Sequence, residues 1–351
     1  MDAMSKAKPF IDALNGTHQA VPPIWLMRQA GRYLPEYRAL RTKAKSFLDF
    51  CFTPDLATEA TLQPIRRYGF DAAILFSDIL VIPHALGQTV SFRQGVGPVL
   101  AAVCDARDVD ALSVDGAADR LANVYETVRR VRRELPGGVG LIGFAGAPWT
   151  VATYMVEGGS SREFSRVKRW AYGDADGFAR LIDKIIDATA DYLCRQVEAG
   201  AEALQIFDSW AGVLPEDAFE RWCVAATRRL VDRVRARHPA VPIIGFPRGA
   251  GLMHGFYARE SGVTAIGLDT TVPPGWAAEH LQPLLPVQGN LDPQMLVTGG
   301  AAMAGAVDRI IQALGKGPFI FNLGHGIVPE TPTEHVSELI RRVRMAGASQ
   351  G

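Results

Sequence analysis

The stretch Pro23-Ile24-Trp25-Leu26-Met27-Arg28-Gln29-Ala30-Gly31-Arg32 decides the reading of the fold. Residues 24–27 form a short apolar run with a proline just before it, the pattern of a buried strand. Two arginines around Ala30 and Gly31 follow, and no G-x-G-x-x-G does. A doubly wound open sheet that binds a dinucleotide needs those glycines after its first strand, so their absence weakens that alternative. Seven more apolar runs continue the pattern, at 72–76, 140–144, 203–207, 242–246, 264–268, 286–288 and 318–321. Amphipathic stretches separate them. Eight strands alternating with helices predict an α/β fold, a (β/α)8 TIM barrel.

The intervening helices carry their own signals. Thr53 is a suitable N-cap, with Pro54 at the first helical position and Asp55 in the first turn. A second helix is expected over 176–199, with Phe178, Leu181, Ile182, Ile185, Ile186, Tyr192 and Leu193 on one stripe and Gly200 as its stop. A third is expected over 215–238. Residues 88–92 alternate, between Gly87 on one side and Gly95 and Gly97 on the other, and predict a small hairpin inserted after the second strand. No linker, repeat or low-complexity tract interrupts the chain, so residues 1–351 are expected to form a single domain.

Composition sets outer limits. At 351 residues and 48% hydrophobic content the chain can bury a large core, and one barrel is a normal use of that length. Lys+Arg and Asp+Glu both number 37, so no overall basic field draws nucleic acid or an anionic membrane. The densest basic run, Arg129-Arg130-Val131-Arg132-Arg133, lies opposite Leu121, Val124, Val128, Val131 and Leu135, as a solvated helix surface would. Cys51, Cys104, Cys194 and Cys223 are far apart and form no C-x-x-C pair, which points to a reducing compartment. The first sixteen residues lack a continuous apolar core for a secretory signal. The most apolar stretch, 139–149, contains three glycines and a proline and is too short to span a bilayer. A soluble cytoplasmic protein is expected.

Barrels of this kind carry their chemistry at the carboxyl ends of the strands. After the successive strands come Arg28 and Arg32; Ser77 and Asp78; Gly146 and then Tyr154; Asp208 and Ser209; Arg248; Asp269; Asn290; and Asn322 with His325. Guanidinium forks match carboxylates bidentately and stay charged at any workable pH. Ala30 and Gly31 let the backbone turn tightly beside them. Two such forks at a strand mouth suggest a multiply carboxylated small molecule, although arginines in ion pairs also serve simply to pin loops. A lone strand-end aspartate such as Asp78 is equally a helix cap or a loop brace. Tyr154 suits a core position, Ser209 an ordinary turn, and His325 an ordinary loop.

Longer motifs carry a resemblance. Met27-Arg28-Gln29-Ala30-Gly31-Arg32-Tyr33-Leu34-Pro35-Glu36-Tyr37-Arg38 resembles the N-terminal signature of the uroporphyrinogen decarboxylase family, and Gly143-Phe144-Ala145-Gly146-Ala147-Pro148-Trp149-Thr150-Val151-Ala152-Thr153-Tyr154-Met155-Val156-Glu157-Gly158-Gly159 resembles its other signature. Phe76-Ser77-Asp78-Ile79-Leu80, Gln288-Gly289-Asn290-Leu291-Asp292-Pro293 and Asn322-Leu323-Gly324-His325-Gly326 match in the same order, covering about residues 8–344.

The resemblance implies removal of CO2 from four acetate arms of a cyclic tetrapyrrole, with no metal or organic cofactor and in a homodimer. The pyrrole is its own electron sink once a ring carbon is protonated. The protein's task is then to stabilise a developing cation in a dry pocket and to hold carboxylates in place. The same resemblance assigns Asp78 to the cation and Arg28 and Arg32 to the carboxylates. It assigns backbone N–H groups of Gln29, Ala30 and Gly31, and the side chains of Tyr154, Ser209 and His325, to substrate binding. A corrinoid or thiol methyltransferase of the same superfamily would hold zinc through a His-x-Cys pair, and none of the seven histidines has a cysteine two residues on. A non-catalytic tetrapyrrole carrier would need the clamps but not Asp78.

Overall fold

The computed structural model describes residues 7–93 and 95–346. Seven parallel strands form one curled sheet: β1 (Ala72–Ile74), then, past two short strands, β4 (Gly140–Gly146), β5 (Ala203–Asp208), β6 (Ile243–Pro247), β7 (Ala265–Gly267), β8 (Val287–Leu291) and β9 (Phe319–Leu323), in spatial order β1-β4-β5-β6-β7-β8-β9. The two short strands, β2 (Val90–Arg93) and β3 (Gly97–Leu100), pair antiparallel with each other outside the sheet. Pro242, Pro286 and Pro318 each stand just before a strand, where a missing N–H removes no ladder bond.

The expected first strand, 24–27, is the one that differs. It contributes a single parallel bridge, Ile24 to Phe321. Around that bridge the Phe321 N–H donates to the Pro23 carbonyl (2.9 Å), and the Asp71 N–H, just before β1, donates to the Ile24 carbonyl (3.0 Å). Further along, side chains take over from the ladder. The Leu26 N–H donates to Gln29 Oε1 (3.1 Å) and the Met27 N–H to Asn322 Oδ1 (3.0 Å), while Gln29 Nε2 donates to the Ala72 carbonyl (3.1 Å). The segment between β9 and β1 is thus fastened by backbone bonds at its start and by two amide side chains further along.

The sheet's concave side holds its own apolar cluster, in which Trp25, Met27, Ala72, Ile142, Ala203, Ile244, Phe246, Ala265 and Ile320 meet Phe10, Ala13 and Leu14 from helix Pro9–Leu14. That helix plugs the amino end. A Cβ on Gly140 would stand 2.7 Å from the Phe10 ring, so the plug seats only against glycine. Buried polar groups inside are chained: Trp25 Nε1 donates to Gln288 Oε1 (2.9 Å), and Gln288 Nε2 to Gln205 Oε1 (3.2 Å). The larger core lies between the sheet and its outer helices.

Among those helices, Ala175–Glu198 buries the expected stripe and is capped by Asp174, whose carboxylate accepts from the Gly177 N–H (2.9 Å). The helix expected over 215–238 is Glu216–Phe219 and Ala225–Arg237 joined by a π-helical turn, Glu220–Val224. Thr53 does precede helix Pro54–Tyr68, but its hydroxyl donates backwards to the Asp49 carbonyl (2.7 Å) and caps nothing. The basic run lies on helix Ala122–Glu134. Arg129 and Arg130 pair with Glu126, and Arg132 reaches Glu202 (2.7 Å). Among the described residues no helix is long and apolar enough to cross a membrane.

Candidate active site

The segment after Met27 builds one wall of the mouth. Arg28 adopts a left-handed backbone (φ 61°), a conformation that side-chain-bearing residues seldom take and that recurs at ligand-binding positions. The turn closes on Gly31, where a Cβ would stand 2.9 Å from the Arg28 carbonyl oxygen. Arg38 donates to the Arg32 and Tyr33 carbonyls (2.8 and 3.2 Å), holding the loop from outside. Arg28 and Arg32 are exposed, and among the described residues neither has a carboxylate partner.

Gln29 is placed differently from the expectation. Its N–H donates to the Leu26 carbonyl (2.9 Å), its carbonyl accepts from the Tyr33 hydroxyl (2.9 Å), and both ends of its amide are engaged as described above. It is fully buried, and its backbone N–H is already taken. The assignment of its N–H to substrate is therefore corrected: Gln29 shapes the loop. The N–H groups of Ala30 and Gly31 have no acceptor among the described residues.

Asp78 follows β1 in a short turn. Its Oδ1 accepts from the Leu80 N–H (2.8 Å), and its other oxygen makes no hydrogen bond among the described residues. Burial pushes its pKa up to about 6, against the Leu80 N–H and the Arg28 charge, which pull it down. The carboxylate is thus set deep enough for desolvation to dominate, yet it keeps an edge open. Tyr154, on helix Pro148–Glu157, answers to the same surroundings. Its pKa is raised by burial and then by the Asp78 charge, while Trp210 and Arg28 lower it.

His325 lies between two close packings. A Cβ on Gly326 would stand 2.3 Å from Arg28 Cδ, and one on Gly324 would stand 2.4 Å from the Thr270 backbone nitrogen. Burial, then Arg28 and Arg248, lower the His325 pKa to about 4, so the imidazole is neutral at physiological pH. Arg28 is the hub: its charge acts on Asp78, Tyr154 and His325. The charge of Arg32 is felt by Tyr37.

Ser209 sits in the turn ending β5, held by its neighbours. The Thr150 hydroxyl donates to Asp208 Oδ1 (2.6 Å) and accepts from the Trp210 N–H (3.1 Å), and Trp149 Nε1 donates to the Trp210 carbonyl (2.9 Å). Trp210 forms an aromatic wall with Tyr154 and Phe164, at ring separations of 6.1 and 5.1 Å.

The remaining strand-end polar residues are braces. Asp208 is fully buried, its pKa pushed up to about 6 by desolvation. Asp269 accepts from the Gly249 N–H (2.6 Å) and from the Thr271 N–H and hydroxyl (2.8 and 2.6 Å). Asn290 Nδ2 donates to the Asp269 and Val272 carbonyls (2.8 and 2.7 Å). Asp78 differs from Asp208 and Asp269 in keeping an unbonded oxygen on a half-buried residue: Oδ2 of Asp208 is also without a partner but is sealed from solvent, and both oxygens of Asp269 are taken, a distinction that sequence spacing does not carry. Among the described residues, no three His, Cys, Asp or Glu side chains converge as a metal site would require.

A curled parallel sheet with helices outside and a polar, cation-lined mouth at the strands' carboxyl ends puts the chain in the α/β class of TIM-barrel type. A methyltransferase from Methanosarcina mazei shares that fold, with a TM-score of 0.80 over 95% of this chain and 97% of its own, at 19% identity. A B12-independent methionine synthase from Shewanella sp. is more distant, with a TM-score of 0.58 at 10% identity over 94% and 97%. The sequence resolves what the fold leaves general. The family model described as Uroporphyrinogen decarboxylase (URO-D) matches residues 5–346, and the chain belongs to that family. It is 58% identical over 337 residues to the uroporphyrinogen decarboxylase of Rhodospirillum rubrum, covering 96% of this chain and 97% of that one. It is 56% identical to that of Chelativorans sp., covering 96% and 98%.

Proposed function

We propose that this protein removes CO2 from the four acetate side chains of uroporphyrinogen, giving coproporphyrinogen, in tetrapyrrole biosynthesis. The observation that carries the reading is the open oxygen of Asp78 in a mouth of unpaired arginines, in a chain of this family.

In each round a proton adds to the pyrrole carbon next to the one bearing the acetate. The bond between the acetate CH2 and its carboxylate breaks, CO2 leaves, and the electron pair passes through the ring to its nitrogen. A proton then adds to the exocyclic CH2, and the ring proton departs. The net change is CH2COO⁻ plus H⁺ to CH3 plus CO2. The protein must favour the cationic ring. Asp78, ionised above about pH 6, faces pyrrole N–H groups and offsets that charge in low dielectric. Arg28 and Arg32 hold carboxylates, with the Ala30 and Gly31 N–H groups beside them. Tyr154 and Ser209 offer hydroxyls, and His325 a neutral imidazole N–H. An arginine is a poor proton donor because its pKa lies far above the working pH.

We also read residues 23–29 as the eighth stave, closing the sheet into a (β/α)8 barrel that forms one domain. The β2–β3 pair is the hairpin inserted in it. The protein works in the cytoplasm as a homodimer, the commonest closed assembly. The test is anaerobic incubation of the purified protein with uroporphyrinogen and separation of the products. Coproporphyrinogen should form without added cofactor and with chelator present. No decarboxylated product, or activity lost to chelator and restored by zinc, overturns the reading.

A further inference from the structure

We propose that Arg248 is a third carboxylate-binding guanidinium of this site, opposite the wall that carries Arg28 and Arg32; the inference rests on the functional reading above. Arg248 directly follows β6, and its backbone is fixed on three sides. Its N–H donates to the Asp208 carbonyl (3.1 Å), its carbonyl accepts from the Gly212 N–H (3.0 Å), and the next N–H, of Gly249, donates to the Asp269 carboxylate (2.6 Å). Gly212 and Gly249 are in such close contact that a Cβ on Gly212 would stand 2.3 Å from the Gly249 carbonyl oxygen. The side chain that this anchored backbone projects is only half-buried and has no carboxylate partner among the described residues. Arginines on the outer helices, such as Arg195 and Arg228, are paired with aspartates one turn away. Unpaired guanidinium groups on rigid backbone at the mouth are placed for a ligand's anions instead.

The contacts around Arg248 are continuous with those of the site. Gly326 packs on the stem of Arg28, Gly324 packs on Asp269 and Thr270, and Asp269 holds Gly249. His325 therefore lies between the two arginines and carries the electrostatic mark of both. On its other flank Arg248 is hydrogen-bonded to the turn that presents Ser209. A macrocycle with a carboxylate on each of its eight arms, spanning from Arg28 to Ser209, passes Arg248.

Arg248→Gln and Arg248→Lys test this in the full-length protein. Because the side chain braces nothing, both variants should melt with the parent. The Gln variant should raise KM for uroporphyrinogen and weaken coproporphyrinogen binding by roughly ten- to a hundredfold, the effect of losing a hydrogen-bonded charge. kcat should change little, and the Lys variant should recover part of the loss. In the Gln variant the NMR titration of His325 should move upward. A parent that yields no decarboxylated product removes the functional reading and this inference together. An active parent with Arg248→Gln within twofold in kcat/KM, an unmoved His325 titration, or a loss confined to kcat overturns this inference alone.

Discussion

Gly326→Ala is a sharp geometric test of the mouth, because it adds one methyl group and removes no functional atom. Its Cβ would stand 2.3 Å from Arg28 Cδ, 2.6 Å from Cγ and 2.9 Å from Nε. Carbon atoms in contact sit about 3.5–4.0 Å apart, so the Arg28 stem must retreat by roughly 1 Å or more. Its backbone is held in the left-handed region between Met27 and Gln29, so the side chain's own torsions must take up the displacement and carry the guanidinium off its present position. Gly326 itself is not left-handed, so alanine introduces no backbone strain there. A misplacement of about 1 Å in a positioning group lowers rate by about a hundredfold, roughly 2.7 kcal/mol. We expect kcat/KM for uroporphyrinogen, measured anaerobically by product separation, to fall by about that factor. The melting temperature should stay within about 3 °C, the shift of a sub-kcal/mol change in a chain of this size. A Gly326→Ala protein with parental melting and kcat/KM within twofold would refute the claim that the glycine exists to seat Arg28.

Three further outcomes follow from the same geometry. Arg28→Lys and Arg32→Lys should each lower kcat/KM by roughly tenfold or more, because an ammonium cannot make the planar two-point contact; near-parental values for both would remove the clamp assignment. Gln29→Ala should lower unfolding stability in urea by roughly 2–4 kcal/mol, since it orphans the buried Leu26 N–H and Ala72 carbonyl, and a loss under 1 kcal/mol would show that water replaces the amide. Asp78 has a folded pKa raised from 3.8 to about 6, so the folded state loses stability as pH rises through that window. Asp78→Asn should then be more stable than the parent at pH 7.5 by up to about 2 kcal/mol, with the difference vanishing near pH 4; a variant less stable at both pH values contradicts the burial argument.

The parts of this molecule written as apolar runs and strand-end residues were readable in advance. Seven of the eight runs are strands, because a strand buried on both faces must be apolar along its length. Residues just beyond them stand at the mouth because parallel strands all end at one side. What the pattern hid is the work of polar side chains turned inward. Gln29 and Asn322 replace ladder hydrogen bonds, so the run at 24–27 is not a strand although its composition is strand-like. Asp208 and Asp78 both follow a strand and look alike in sequence. Thr150, in the first turn of a neighbouring helix, takes up one oxygen of Asp208 and burial seals the other, whereas Asp78 is only half-buried. Pairings that reach across tens of residues leave no local periodicity. The close approach at Gly326 is likewise invisible until the Arg28 stem is located.

The most direct test of the central claim is Asp78→Asn kinetics alongside product binding. Asparagine keeps the size and the acceptor for the Leu80 N–H but lacks the charge that offsets a cationic ring. If Asp78 stabilises that cation, coproporphyrinogen binding should stay within a few-fold of the parent while kcat falls at least about a hundredfold, roughly 2.7 kcal/mol. Unchanged kcat with a raised KM would contradict the account, because Asp78 would then hold substrate and transition state alike.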